Sequence, residues 1–290
     1  MKDMKKLYDR TRTQCGRINN PSKYVKDRNG TVLTDVDDQL KRWREHFQEV
    51  LNRPPPETQT YLPEAPPLPI RTGPVTRKEV KNAPKTLKNG KAAGFDNIPA
   101  EAWKEGGWTS EEVLFTLLNM IWEAEDIPMD WKLGLLVKLP KKGDLSDCTN
   151  SRGIMLLSIA SKALSRIILT RMQVSADGKF RDEQAGFRSG RSCCDQITAL
   201  RIITEQSFEW NTGLYMVFVD FEKAFDSIDR EMLWKILKHY GIPVKIVRMI
   251  QVLYDGFQAR VLHEGRMTEP FDMKTVAQQG CLPNNAILGH

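Results

Sequence analysis

Asp220 closes an apolar run, Leu214-Tyr-Met-Val-Phe-Val-Asp220, and Asp226 and Asp229 follow it closely. An aspartate at a strand end sits on a rigid support, and its hard oxygen ligands suit a Mg2+ ion shared with substrate phosphates. Alternation puts Met216, Phe218 and Asp220 on one face of the run and Tyr215, Val217 and Val219 on the other, which predicts a strand buried on both sides. Shaping a strand-to-helix turn is the commoner role for aspartates in such a place, and taken alone these three fit it better.

Cations form a second set. Lys138, Lys141, Lys142 and Arg152 fall around one predicted strand and loop, where charge-assisted hydrogen bonds could hold a triphosphate or a nucleic-acid backbone. Taken alone, a solvated charged loop accounts for them better. A third cluster, Gln184-Ala-Gly-Phe-Arg188-Ser-Gly-Arg191-Ser192, offers glycines for close backbone approach and arginines for phosphate contacts. It lacks Walker spacing, so it does not indicate nucleotide hydrolysis.

The elements that must position these groups follow from periodicity. Leu40, Trp43, Phe47, Val50 and Leu51 recur at helical spacing within residues 36–52, predicting an amphipathic helix whose apolar face needs a partner. Eight prolines between 53 and 75 predict an extended, semi-rigid connector. Thr76-x-x-Glu79 and Thr109-x-x-Glu112 fit capping boxes, and Pro84 predicts that the first of those helices is short or bent. Residues 134–139 read as a strand, 158–172 as a helix, and 243–254 as another. Asp229 caps a helix stopped by Gly241 and Pro243, and Gln258–His263 with Met267–Val276 reads as a hairpin around Glu264-Gly265. The expected class is α+β, with an N-terminal extension over 1–52, a Pro-rich linker over 53–75 and a body from 76 onward.

Composition narrows the setting. Lys+Arg 43 against Asp+Glu 37 gives a net charge of +6, compatible with a polyanionic partner. The five cysteines, Cys15, Cys148, Cys193, Cys194 and Cys281, contain no Cys-x-x-Cys pair and suggest neither a disulfide framework nor a zinc site. With no signal-peptide core and no long apolar run, the expectation is an intracellular chain, nuclear or cytoplasmic, with no membrane and no small-molecule redox cofactor.

The order of the pieces resembles the reverse transcriptases of non-LTR, LINE-type retrotransposons. Asp27–Gly30, Leu33-Thr34, Arg42-Trp43 and His46-Phe47 look like the segment joining an endonuclease to the polymerase in such elements. Lys88-Asn-Gly-Lys-Ala-Ala-Gly-Phe-Asp-Asn-Ile-Pro-Ala-Glu101, Leu139-Pro-Lys-Lys-Gly-Asp144, Asn150-Ser-Arg-Gly-Ile154, Asp182–Arg188, Phe218–Asp226 and Gln279-Gly-Cys281 are similar to successive motifs of that family. The resemblance implies fingers over 76–210 and a partial palm over 211–290 of a right-hand polymerase. Its partners would be an RNA template, a DNA primer and deoxynucleoside triphosphates, with Mg2+ as cofactor.

The resemblance also implies roles. Asp220 would bind metal, Phe221 would add a backbone carbonyl beside it, and Phe225 would be the steric gate that excludes a ribose 2′-hydroxyl. Arg152 with a lysine of Lys138, Lys141 and Lys142 would hold the triphosphate, Gln279 would lie near the incoming nucleotide, and Arg188 and Arg191 would contact nucleic acid. Three departures stand out. Ser151 replaces the usual aromatic before the arginine, Pro84 interrupts a helix, and Leu282-Pro-Asn-Asn follows Cys281 where a Ser-Pro step is usual. The paired aspartates of the next palm strand and the thumb have no counterpart. From this follow expectations of no polymerase activity in the chain alone and of marginal solubility, with a non-catalytic RNA- or DNA-binding remnant as the alternative.

Overall fold

The computed structural model describes residues 24–54, 61–186, 188, 190–220 and 228–275. A short hairpin, β1 (Val25–Lys26) and β2 (Val32–Leu33), leads into helix α1 (Val36–Val50). Asp35 caps α1 by accepting from the amides of Asp37 and Asp38. Helix α2 (Arg77–Lys85) begins at Thr76 with both halves of the capping box in place. It ends one residue after Pro84, which has no amide to donate to the Val80 carbonyl and crowds that preceding turn, so the helix is short as its sequence predicts.

Helices α3 (Ala100–Glu105) and α4 (Gly107–Ala124) follow. The second expected capping box does not form. Helix α4 starts before Thr109, and the Glu112 carboxylate turns outward to Arg77. Strands β3 (Leu133–Pro140) and β4 (Ser151–Leu156) then precede the long helix α5 (Ile159–Asp177), which is buried around most of its circumference. Beyond them lie α6 (Cys193–Glu209), α7 (Arg230–His239), α8 (Val244–Tyr254), and strands β5 (Gln258–His263), β6 (Arg266–Met267) and β7 (Phe271–Asp272). Asp229 caps α7 through the Met232 amide, as its position predicts.

Strand β3 is central in one sheet of order β4-β3-β5-β6, with β7 also on β5. Its pairing is antiparallel to β4 and parallel to β5. The expected strand over Met267–Val276 is two short strands instead. Pro270 has no amide to donate, and Thr268 bridges the break by exchanging hydrogen bonds with the backbone of Val261. Glu264 and Gly265, at φ 49° and 75°, make the tight turn of the hairpin as expected.

Two cores result. One joins α2, α4, α5, α7 and α8 through residues such as Leu118, Leu164, Ile168 and Ile250. The other places Trp43 and Phe47 of α1 on Leu136, Met155 and Val261 of the sheet and on Phe257 just before β5. The partner that α1 needs is therefore the sheet itself. The segments expected as fingers and palm share that sheet, because β5 lies directly beside β3.

The described part of the Pro-rich connector, 61–75, is extended but docked rather than free. His239 Nδ1 meets the Pro63 carbonyl at 2.7 Å, Leu68 donates to Gly241 O at 2.7 Å, and Trp122 Nε1 donates to Thr72 O at 2.9 Å. Proline carbonyls keep their acceptor capacity, so helix ends and side chains satisfy the strap.

Candidate functional site

Register decides which cations can act together. In the β3–β4 pair Lys138 faces Gly153, and Leu139 faces Arg152 one position on. Neighbouring positions on a strand point to opposite faces, so Lys138 and Arg152 lie on opposite sides of the sheet. Lys138 is on the side covered by α1. Its Nζ stands 4.3 Å above the Trp43 ring and donates to His263 Nδ1, while His263 Nε2 donates to Gln39 Oε1 at 2.6 Å. Burial pushes the Lys138 ammonium down to about 8, and burial together with that ammonium pushes His263 down to about 4.

Lys138 thus ties α1 to the sheet on the face opposite Arg152, which narrows the open choice of a lysine to accompany Arg152 toward Lys141 and Lys142. The register was not readable from sequence, because the residues that occupy Lys138 are distant in the chain. A pH signature follows. Between about 8 and its ordinary value, the unfolded chain binds a proton at Lys138 that the folded chain has released, so stability rises with pH in that window. Burial raises Cys148, and that group opposes the trend only above its ordinary value of 9.0. The melting temperature should increase from pH 7 to 9, and Lys138→Met should flatten that rise. A rise of equal size in the variant would refute the assignment.

On the other sheet face, Arg152 is exposed next to the half-covered Leu135, Val137 and Ile154. The loop between β3 and β4 is built to hold a fixed shape. Lys141 N donates to Asn150 O at 2.8 Å, and Asn150 Nδ2 donates to Asp144 O at 2.9 Å. The Asp144 carboxylate accepts from Lys26 Nζ at 2.7 Å and from Ser146 N and Oγ, and Lys26 beside it holds its carboxyl well below the usual range. Gly143 has φ 111°, a backbone state that side chains resist. Lys141 and Lys142 are exposed on this frame, and Lys141 Nζ makes only a long 3.5 Å contact with Thr149 O.

The third cluster separates. Arg188 is 6% exposed, gripping both Asp177 carboxylate oxygens and the carbonyls of Arg181 and Gln184. Its guanidinium fastens the turn after α5, so the expected nucleic-acid role does not fit it. Arg191 is more exposed and holds Asp182 at 2.8 Å.

Asp220 departs most from expectation. No strand forms over 213–220, where Tyr215 is 98% exposed and Val217 88%. Both edges of β3 are taken by β4 and β5, and residues 214–220 join no ladder among the described residues. Asp220 is itself exposed. Among the described residues no three His, Cys, Asp or Glu side chains converge as a metal site, so these residues alone do not fit a Mg2+ ion. Phe221, Phe225, Asp226 and Gln279 lie outside the described residues.

Two further groups fix the site, one inside the Lys88–Glu101 motif with no structural role assigned to it from sequence and one not singled out at all. Gly94 lies so close to the Leu157–Ser158 backbone that a Cβ would stand 2.5 Å from it, and Asp96 accepts from the buried Ser158 hydroxyl at 2.7 Å. The Gly-Phe-Asp segment therefore pins the end of β4. Arg171 binds Glu79 and three carbonyls of the strap. A glycine beside an aspartate in the sequence was a signal for the first, but nothing local marked the second.

Comparison with known proteins matches residues 139–284 to the family model described as reverse transcriptase (RNA-dependent DNA polymerase). A relative named transposon TX1 uncharacterized 149 kDa protein, from Xenopus laevis, is 26% identical over 210 residues, which is 72% of this chain and 16% of that protein. The probable RNA-directed DNA polymerase from transposon BS of Drosophila melanogaster is 27% identical over 229 residues, 77% of this chain and 24% of its own length. The retrovirus-related Pol polyprotein from type-2 retrotransposable element R2DM, also of Drosophila melanogaster, is 24% identical over 71% of this chain and 19% of its own length. The chain spans about a sixth to a quarter of these relatives. Among the described residues no helix is long and apolar enough to cross a membrane. With half of its length inside the family model, the chain belongs to the reverse transcriptase (RNA-dependent DNA polymerase) family.

Proposed function

We propose that the chain supplies the fingers and part of the palm of a retrotransposon RNA-directed DNA polymerase. The observation that carries this reading is the cross-linked β3–β4 loop, which presents Lys141, Lys142 and Arg152 at one sheet end inside the family-matched segment. A loop frame fixed in advance can present three cations to a triphosphate without first losing loop freedom, leaving only the side chains to be ordered. Arg152 contributes a planar fork, and the lysines contribute point charges.

Asp220 is the metal-binding carboxylate in this reading, Phe225 the ring that selects deoxyribose, and Gln279 a neighbour of the incoming nucleotide. A divalent ion would be held by Asp220 only together with ligands beyond the described residues, and it would supply charge neutralisation at the phosphates. Template RNA and primer DNA would meet the exposed cations.

A second reading, a non-catalytic binding module, draws on the exposed, unpaired 214–220 run and on the absence of three converging donors among the described residues. Primer extension on an RNA template with deoxynucleotides and Mg2+ separates the two. In the longer polymerase of which this chain would be the fingers and part of the palm, incorporation that Asp220→Asn abolishes, with template binding retained, is the expected result. Salt-sensitive RNA binding without incorporation leaves the binding module, and incorporation that survives Asp220→Asn removes Asp220 from the chemistry.

A further inference from the structure

Residues 77–91 hold Arg77, Lys78, Lys81, Lys85, Lys88 and Lys91 against one carboxylate, Glu79. That surplus of five cations nearly equals the net charge of +6 of the entire chain. Such concentration asks for a physical reason.

Helix geometry sorts these charges. At 3.6 residues per turn, Lys78, Lys81, Asn82 and Lys85 fall within about 100° of one another, opposite Val80, Ala83 and Pro84. The latter three are buried and the former four exposed. Glu79 does not temper the row, because it turns inward to Arg171. Arg77 and Glu112 satisfy each other at the side. Lys88 and Lys91 continue the row on a loop fixed from behind, where Lys104 Nζ donates to Leu87 O at 2.5 Å and Glu101 accepts from Gly90 N at 2.6 Å.

This arrangement works against the helix. Lys78 stands in the first turn, where the helix dipole disfavours a cation, and Lys78–Lys81 and Lys81–Lys85 are like-charge neighbours at i,i+3 and i,i+4. No ion pair involves Lys78, Lys81, Lys85, Lys88 or Lys91 among the described residues, whereas Lys26, Lys41, Lys132, Lys238 and Lys245 each have a carboxylate partner. Three lysines along about 10 Å of helix match the reach of a short run of phosphates.

We propose that the outer face of α2 and the 88–91 loop form a rail for a nucleic-acid phosphate backbone, separate from the Lys141, Lys142 and Arg152 set. The choice of nucleic acid over another polyanionic surface rests on the polymerase reading; the rail itself rests on the charge geometry. Backbone contacts of this kind confer salt-dependent, sequence-independent binding.

The test measures binding of a fluorescein-labelled single-stranded RNA to the full chain across a salt series, for the wild type, for Lys78→Gln/Lys81→Gln/Lys85→Gln and for Lys142→Gln/Arg152→Gln. The rail predicts a loss of at least about tenfold in affinity at low salt for the triple variant. It also predicts a log–log salt slope shallower by about 2, three lysines at roughly 0.7 each. The three side chains are exposed, and an unchanged thermal melt verifies the fold. Equal affinity and slope in the triple variant, with loss confined to the Lys142/Arg152 variant, overturns the rail and leaves the polymerase reading standing. Absence of RNA binding by the wild type overturns both. Phosphatidylserine vesicles replace the RNA in a parallel series, and lysine-dependent vesicle binding with lysine-independent RNA binding also overturns the rail.

Discussion

Arg171→Met should cost the protein about 3–5 kcal/mol of stability, a large part of the roughly 5–15 kcal/mol that holds a domain together. Arg171 is 3% exposed, and its guanidinium donates to Glu79 Oε1 at 2.6 Å and Oε2 at 2.8 Å. It also donates to Gly73 O at 2.7 Å and Pro74 O at 2.9 Å, and stacks over Trp122 at 4.6 Å. Removing it strands a half-buried carboxylate and three strap carbonyls, that of Arg71 included, in one step. A melting temperature lower by on the order of 10 °C is the expected readout. The double variant Arg171→Met/Glu79→Met should recover part of the loss, since neither charge is then left alone. A single variant that melts within a degree of the wild type would show that the pair is not structural.

Acid probes the same pair. Burial alone would raise the Glu79 carboxyl, but hydrogen bonds from Arg171 and Thr76 outweigh it and hold the group at about 2. A carboxylate with a depressed folded value contributes stability above its unfolded value and loses it as pH falls through the window between them. Here that window runs from about 4.5 down to about 2. The parent should therefore soften across it, and the double variant should soften less, with the remaining loss coming from other carboxylates held low, such as Asp144 and Asp177.

Trp43→Ala should be the other severe lesion, at about 3–5 kcal/mol. The indole is 3% exposed, stacks on Phe47 with centroids 5.8 Å apart, lies beneath Lys138 and contacts His263 at 6.2 Å. Truncation opens a cavity between α1 and the sheet and removes the floor under a poorly solvated ammonium. Were α1 a loosely attached extension, the variant would melt with the wild type. One cooperative transition shifted to lower temperature is expected instead.

Local structure was legible wherever its cause is local. The Thr76 capping box, the early stop at Pro84, the Asp229 cap, the Glu264-Gly265 turn and most helix positions arise from interactions within a few residues. The ordered motifs, read as a series, placed the chain in its family. The cations around β3 and β4 were also identified as a group from residue type and spacing.

Pairing across the chain was not legible. Whether Lys138 shares a face with Arg152 depends on strand register, and its neighbours Trp43 and His263 are brought in by α1 and β5 from opposite ends of the described chain. Arg188 looks from sequence like a phosphate ligand, yet the carboxylate of Asp177 and nearby carbonyls consume its donors. Residues 214–220 alternate as a buried strand would, but a strand exists only where another edge accepts its hydrogen bonds, and none of the described strands pairs with this run. The sequence by itself determined the family, most of the helices though not Ala100–Glu105 or Cys193–Glu209, and the inventory of charged groups, because composition, short-range spacing and motif order encode them. Tertiary structure alone decided which cations remain free for a polyanion and which are spent as struts, because that depends on partners up to 226 residues away.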